Sequence, residues 1–346
     1  MTGEKLQVLF IADVSPIRVI GGAERVLYEH MRRLAHGGHA IQCLARAPGR
    51  EAEAQAQMDG TVVHHFLGAS GSSISFFLLS VWNCRKRFQQ LRKEQAFDLL
   101  NFQQPLSALG VLTARESWKI PKLYTFHSLW FREYEIRVTR NGRPTDFRGR
   151  LPSWLGVRLN TGLRRIIERI CLKASDRILV LSEFSREQLL RYHRVPASKI
   201  SLIPGGVDTS RFIPRSDPER QAIRRRLVVP EGASLLLTVR NLQPRMGLEN
   251  LIQAMVKVVA QRREVYLILG GAGPLEKELR ALAARLALDP YLRFEGFIPE
   301  ARLPEYYQAA DFFLLPTRCM EGFGMVTVEA LACVVHPCWV RRSVGR

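Results

Sequence analysis

The chain lacks several things that would have decided its class quickly. Its longest apolar stretch near the middle, Ile74 to Trp82, is too short to span a bilayer. The apolar run Leu6 to Ala12 has neither the basic flank nor the small-residue cleavage site of a signal peptide, and reads better as a first strand. Six cysteines are scattered without a CxxC pair, which excludes a zinc site of that type and implies reduced thiols in a cytoplasmic protein. Internal repeats and low-complexity segments are absent, as are an RNP sequence, a zinc finger and a concentrated basic tail. Acidic residues are scarce. Asp plus Glu number 32 against 51 Lys plus Arg, a net charge of +19. That excess fits an arginine-rich composition, an anionic membrane surface or anionic substrates such as sugar nucleotides; nucleic acid fits least.

What is present is an alternation. Leu6 to Ala12 is followed by Gly21-Gly22 and a helical pattern from about Ala23 to Ala35, which Gly37-Gly38 stops. Short apolar runs then recur at Ile41 to Ala45, Val62 to Phe66, Phe97 to Asn101, Lys122 to Phe126 and Arg177 to Leu181, with helical stretches between them. A second series follows Pro204: strands at Leu235 to Val239, Tyr266 to Leu269, Arg293 to Phe294 and Phe312 to Leu315, and helices from about Leu248 to Arg262 and Leu275 to Leu286. Alternating β and α elements predict doubly wound parallel sheets, so the fold class is α/β with two Rossmann-like domains facing across a cleft. The expected domains are 1–204 and 205–333. Between the strands, Trp130 to Ala174 is long, arginine-rich and broken by Gly142, Pro144, Gly149 and Pro152. Its end, Leu159 to Leu172, reads as an amphipathic helix with Arg164, Arg165 and Arg169 on the polar face: a solvated surface helix, or a dock for anionic lipid.

Ligands of such sheets bind at the carboxyl ends of the strands. Four segments fall there. Gly21-Gly22-Ala23-Glu24-Arg25 lets a ligand approach backbone closely, but it is not the GxGxxG dinucleotide fingerprint. Arg240 and Arg245 place two guanidinium groups past a strand end, where they can grip phosphate. His127 follows an apolar strand. Finally, Glu321-Gly322-Phe323-Gly324 leads to Glu329, so two carboxylates lie eight positions apart around a glycine turn and a helix start. Free backbone N–H groups at such a turn suit an anion, and a carboxylate suits two vicinal ribose hydroxyls.

In order, GGAERV, TFH, SEFS, IPGGVDTSRF, RNLQPRMG, GGAGP and EGFGMVTVEALA resemble the family-four retaining glycosyltransferases of the GT-B fold, over residues 6 to about 333. The resemblance implies transfer of a hexose from a nucleotide sugar, UDP- or GDP-linked, to a sugar or lipid-linked acceptor, with no metal or cofactor. It implies that Glu329 holds ribose, that Glu321 and the amides of Gly322, Phe323 and Gly324 hold sugar and phosphate, and that Arg240 holds the diphosphate. Gly21 and Gly22 would line the diphosphate edge, and His127 would sit by the sugar and acceptor. The family's usual lysine is Met246 here, so Arg245 is expected to supply the second charge. Two other readings stand beside this one: an inactive sugar-nucleotide-binding remnant, and a sugar-nucleotide epimerase of the same fold.

The family continues after EALAC with a glycine-containing loop. Here residues 334–346 read VVHPCWVRRSVGR, and a shift of reading frame after Cys333 would restore the familiar pattern. The expectation is therefore an incomplete second domain, an out-of-frame tail, no strand after Cys333, and an open sheet edge that leaves the domain marginal in stability and activity.

Overall fold

The computed structural model describes residues 4–17, 21–49, 54–68, 74–140, 143–144 and 154–339. Gly142, Gly149 and Pro152 lie outside them. The chain divides into two compact units, Met1–Gly205 and Gly206–Arg346.

In the first unit the strands are β1 (Gln7–Ala12), β2 (Ala40–Arg46), β3 (Gln55–Met58), β4 (Thr61–Phe66), β5 (Leu99–Phe102), β6 (Lys122–Phe126), a small β7 (Thr139–Arg140) and β8 (Arg143–Pro144) pair, β9 (Arg177–Val180) and β10 (Ile200–Leu202). The helices are α1 (Gly22–His36), α2 (Ile74–Glu94), α3 (Pro105–Leu112), α4 (Trp130–Val138), α5 (Trp154–Ala174) and α6 (Glu183–Gln188). The main sheet runs β10-β9-β6-β5-β1-β2-β4-β3. Every pairing is parallel except β3 with β4. Strands buried on both faces must be apolar almost throughout, and β1 is: Val8, Phe10 and Ala12 pack against Leu27 and Met31 of α1, while Leu9 and Ile11 are buried on the other side.

The second unit holds α7 (Asp217–Arg226), β11 (Ser234–Val239), α8 (Leu248–Gln261), β12 (Val265–Gly270), α9 (Glu276–Arg285), β13 (Leu292–Gly296), α10 (Leu303–Ala309), β14 (Phe312–Leu315), α11 (Met325–Ala332) and β15 (His336–Trp339). Its sheet is parallel, in the order β13-β12-β11-β14-β15. Alternation along the strands feeds two cores. Leu235, Leu237 and Ile268 join Tyr307 and Phe313 on one face. Leu267 and Leu269 join Ile252 and Leu248 on the other. A doubly wound α/β sheet with helices on both faces is what the alternation of elements predicts.

One expectation is overturned. A strand does follow Cys333: His336 to Trp339 pairs in parallel with β14, with Phe312 opposite His336 and Leu315 opposite Trp339. Cys333 and Val335 are buried in the same core as Phe313. Apolar residues on both sides of the turn drive this, and Pro337 lies in the strand that ends the sheet order, the place in a sheet where proline is accepted.

Candidate functional site

In the second unit the chemistry gathers where β11 and β14 end. Arg240, the first residue beyond β11, is 8% exposed. Its Nη2 donates to Thr317 Oγ1 at 2.7 Å, touches Met246 Sδ at 3.0 Å and pairs with the Glu321 carboxylate. Thr317 donates to the same Glu321 oxygen at 2.8 Å. The Nε of Arg240 is buried without a partner among the described residues. Arginine, threonine and glutamate thus form a closed polar triangle, and its glutamate corner remains partly open to solvent.

Close backbone contact holds this cluster. Gly247 is left-handed at φ +71°, and a Cβ there would overlap the carbonyl of Pro316. Gly271, at φ +122°, would meet the carbonyl of Arg240, and a Cβ on Gly273 would lie 2.6 Å from the carbonyl oxygen of Leu242. Only glycine allows three loops to lie this close. Arg245 approaches the same turn, its Nη1 donating to the Met320 carbonyl at 3.2 Å, while its own carbonyl accepts from Arg318 N at 2.8 Å. Met246 is buried, so the position expected to carry a lysine packs inward against Arg240 instead.

Gly322 and Phe323 lead to Gly324, which is left-handed at φ +80° and caps the start of α11 with no side-chain acceptor. The first N–H groups of α11 therefore have no side-chain cap and face the turn that carries Glu321. Gly324 Cβ space lies 3.6 Å from Glu321 Cγ, so turn and carboxylate are neighbours. Glu329 is placed differently. It is 0% exposed and accepts from the Tyr307 hydroxyl at 2.8 Å. The eight-residue spacing sets one carboxylate at the mouth of the turn and the other inside the core.

In the first unit, Gly21 and Gly22 start α1, with Gly21 as an extended N-cap and no side-chain cap bond. A Cβ on Gly22 would meet nothing within 4 Å, so packing does not require glycine there. Glu24, buried enough that its carboxyl is held above the usual range, reaches back to the Gly21 N–H. His127 follows β6. Its Nε2 lies 2.9 Å from Gln103 Oε1, and burial drives its pKa down to about 3, helped by the nearby His30, so the ring is neutral. Gln103 and Asn101 were not singled out by sequence. The signal was an Asn-x-Gln pair at the end of an apolar strand, matching Thr-x-His at the end of its neighbour. Asp13, just past β1, accepts from Ser107 N at 2.8 Å and so caps α3.

One further expectation is corrected. Arg164 is not on the polar face of its helix. It is 5% exposed, stacked against Phe77, Trp130 and Tyr134 at 4.9, 4.4 and 4.3 Å, and burial lowers its pKa to about 10. The exposed face of α5 carries Leu155, Leu159, Leu163, Ile166 and Ile170 beside Arg158 and Arg169. Among the described residues no helix is long and apolar enough to cross a membrane, and no group of three or more His, Cys, Asp or Glu could hold a metal ion.

Comparison with known proteins identifies the family. Residues 20–211 match the model of Glycosyltransferase Family 4, and residues 219–338 that of Glycosyl transferases group 1. D-inositol 3-phosphate glycosyltransferase of Geodermatophilus obscurus is 28% identical over 90% of this chain and 68% of its own length. A second protein of that name, from Catenulispora acidiphila, is 26% identical over 90% of this chain and 72% of its own length. Among solved structures, sucrose-phosphate synthase from Thermosynechococcus elongatus superposes with a TM-score of 0.78 at 21% identity, covering 96% of this chain and 81% of the other. Anabaena Alr3699/HepE in complex with UDP-glucose gives 0.70 at 18%, covering 96% and 80%. Both likenesses are of fold: the chain is α/β, with two units of Rossmann type, close to GT-B glycosyltransferase structures. The chain belongs to glycosyltransferase family 4 and is a glycosyltransferase.

Proposed function

We propose that the enzyme transfers a hexose from a UDP- or GDP-linked donor to a sugar or lipid-linked acceptor with retention of anomeric configuration. In that reaction the bond from the anomeric carbon to the diphosphate breaks and one to an acceptor hydroxyl forms, so negative charge grows on the leaving diphosphate. The observation that carries the reading is the Arg240–Thr317–Glu321 triangle beside the open start of α11. Arginine charge and the backbone N–H groups of a glycine turn at a helix start stabilise such a leaving group. Arg240 and the amides of Gly322, Phe323 and Gly324 are assigned to the diphosphate, with Arg245 as the second charge and Glu321 at the sugar. Glu329 takes the ribose hydroxyls in exchange for the Tyr307 hydroxyl. In the first unit, Gly21 and Gly22 leave space at a helix start for the donor, and His127 serves the sugar. Similarity to a structure named as a UDP-glucose complex supports a nucleotide donor. No metal or cofactor enters this reading.

A thermal-shift screen of UDP- and GDP-hexoses tests the donor class, because a ligand bound only by the folded state raises its melting temperature. NMR of the product's anomeric signal tests retention. Donor turnover without any acceptor would instead indicate the epimerase. For location, the apolar and basic residues of α5 share one exposed face, the arrangement that suits an anionic membrane surface. Co-sedimentation with phosphatidylglycerol vesicles, but not phosphatidylcholine vesicles, is the expected result.

A further inference from the structure

Asn101 and Gln103 stand two apart at the end of β5, and Thr125 and His127 two apart at the end of β6. The two strands are paired, so alternation sets all four on one face of the sheet. The first three are 4%, 2% and 0% exposed in the order Asn101, Gln103, Thr125. Polar groups so deeply buried are kept only where their hydrogen bonds are met. These are met by one another. Gln103 Nε2 donates to Asn101 Oδ1 at 2.8 Å, and the Thr125 hydroxyl donates to the same oxygen at 2.9 Å.

This chain of bonds has a direction. With its NH2 group turned to Asn101, Gln103 offers only its carbonyl oxygen to His127, 2.9 Å from Nε2. A carbonyl accepts and cannot donate, so Nε2 carries the ring proton and Nδ1 the lone pair. A reversed amide would impose the opposite tautomer. Asn101 and Thr125 together oppose that reversal, since Asn101 Oδ1 accepts from both the Gln103 amide and the Thr125 hydroxyl.

We propose that Gln103 is a positioning residue for hexose transfer: it holds His127 in the Nε2–H form, so that Nδ1 presents a fixed hydrogen-bond acceptor to a hydroxyl of the donor sugar. This rests on the assignment of His127 to the sugar. Gln103 itself touches no substrate. Its part is to fix both the ring's orientation and which nitrogen is free, with a neutral partner that adds no charge near the reacting centre.

Long-range ¹H–¹⁵N NMR of the full chain, labelled in histidine, reads the tautomer directly; the His127 signals are those lost in His127→Ala. The expected wild-type result is protonated Nε2, and protonated Nδ1 overturns the proposal without any Gln103 variant having to fold. Calorimetry then compares UDP-glucose with UDP, and GDP-mannose with GDP. Gln103→Leu is expected to weaken the sugar nucleotide by roughly tenfold, the worth of one hydrogen bond, and to leave the bare nucleotide unchanged. Equal losses for sugar nucleotide and nucleotide, or no loss in Gln103→Leu, overturn the positioning role. If His127→Ala leaves the ratio unchanged, or neither nucleotide sugar binds, the assignment of the site fails and the proposal with it. Loss in His127→Ala beside an unaffected Gln103→Leu overturns the proposal alone.

Discussion

The two units hold their working side chains by opposite means. In the first, His127 is neutral and is aimed by an amide chain, Gln103 to Asn101, with Thr125 closing it. In the second, Arg240 is charged and is aimed by an ion pair with Glu321, shared through Thr317. Both sit just past the carboxyl end of a parallel strand. The difference matches what each would meet. A sugar hydroxyl is neutral and directional, and is read by a fixed lone pair. A diphosphate is an anion, and needs a cation that is held in place yet can turn from its carboxylate toward the ligand.

The comparison is broken most severely by removing the cation. Arg240→Ala deletes the positive corner and leaves Glu321 facing the place where the diphosphate charge would grow. Transfer rate should fall by about 10²- to 10³-fold, the usual cost of one stabilising donor at developing negative charge. Initial rates with saturating donor measure this. A loss below fivefold would remove Arg240 from the chemistry.

Next in size is backbone strain, which should be confined to the second unit. Gly247→Ala forces a Cβ against the Pro316 carbonyl at a left-handed position. The cost should be about 1–3 kcal/mol, and calorimetry should show it in the second unit's transition alone. A uniform shift of both units would show that the loops around Arg240 are not a local construction. Tyr307→Phe is the next step down. It removes the hydroxyl that Glu329 accepts from and leaves that buried carboxylate short of a partner, for about 1–2 kcal/mol. If Glu329 takes ribose hydroxyls in place of that bond, nucleotide affinity should survive the substitution better than stability does.

These sites differ in how far sequence reveals them. The bounds of β6 and β14 follow directly from their apolar runs, and Arg240 and Glu321 stand out because charge directly after such a run needs a reason. β3 was missed: Gln55 to Met58 is short, half polar and held by antiparallel pairing to β4, so no local pattern marks it. β15 was misjudged because its sequence is unfamiliar, although pairing with β14 and burial of Val335 suffice to form a strand. Arg164 was misread because helical periodicity classes arginine as polar. The rings that cover it come from α2 and α4, which sequence distance hides. Gln103 escaped for a related reason, since its meaning depends on a partner in another strand.

The neutral side of the comparison predicts a pH effect. Folding pulls the His127 pKa down to about 3 from an ordinary value near 6.5. Between those values the unfolded chain binds a proton that the folded chain does not, so stability rises with pH through that window. Its contribution is complete above about pH 6.5 and is lost as pH falls. Urea unfolding of wild type and His127→Gln at pH 7 and pH 5 should therefore show a smaller drop in the variant. An equal drop in both would mean that His127 is not buried as a neutral ring.

The smallest expected effect on the fold is also the sharpest test of the first unit. Gly22 begins α1 with ordinary backbone angles available to it, and a Cβ there would touch nothing within 4 Å. Gly22→Ala should change stability by less than about 1 kcal/mol, and in the favourable direction, since alanine suits a helix better than glycine. Packing thus gives no reason for glycine at this position; the proposed function supplies one, close approach of the donor to the helix start. Nucleotide-sugar affinity measured by calorimetry should then fall while the melting temperature holds or rises. If affinity is also unchanged, the space beside Gly22 is plain solvent, and the donor is held without help from the start of α1.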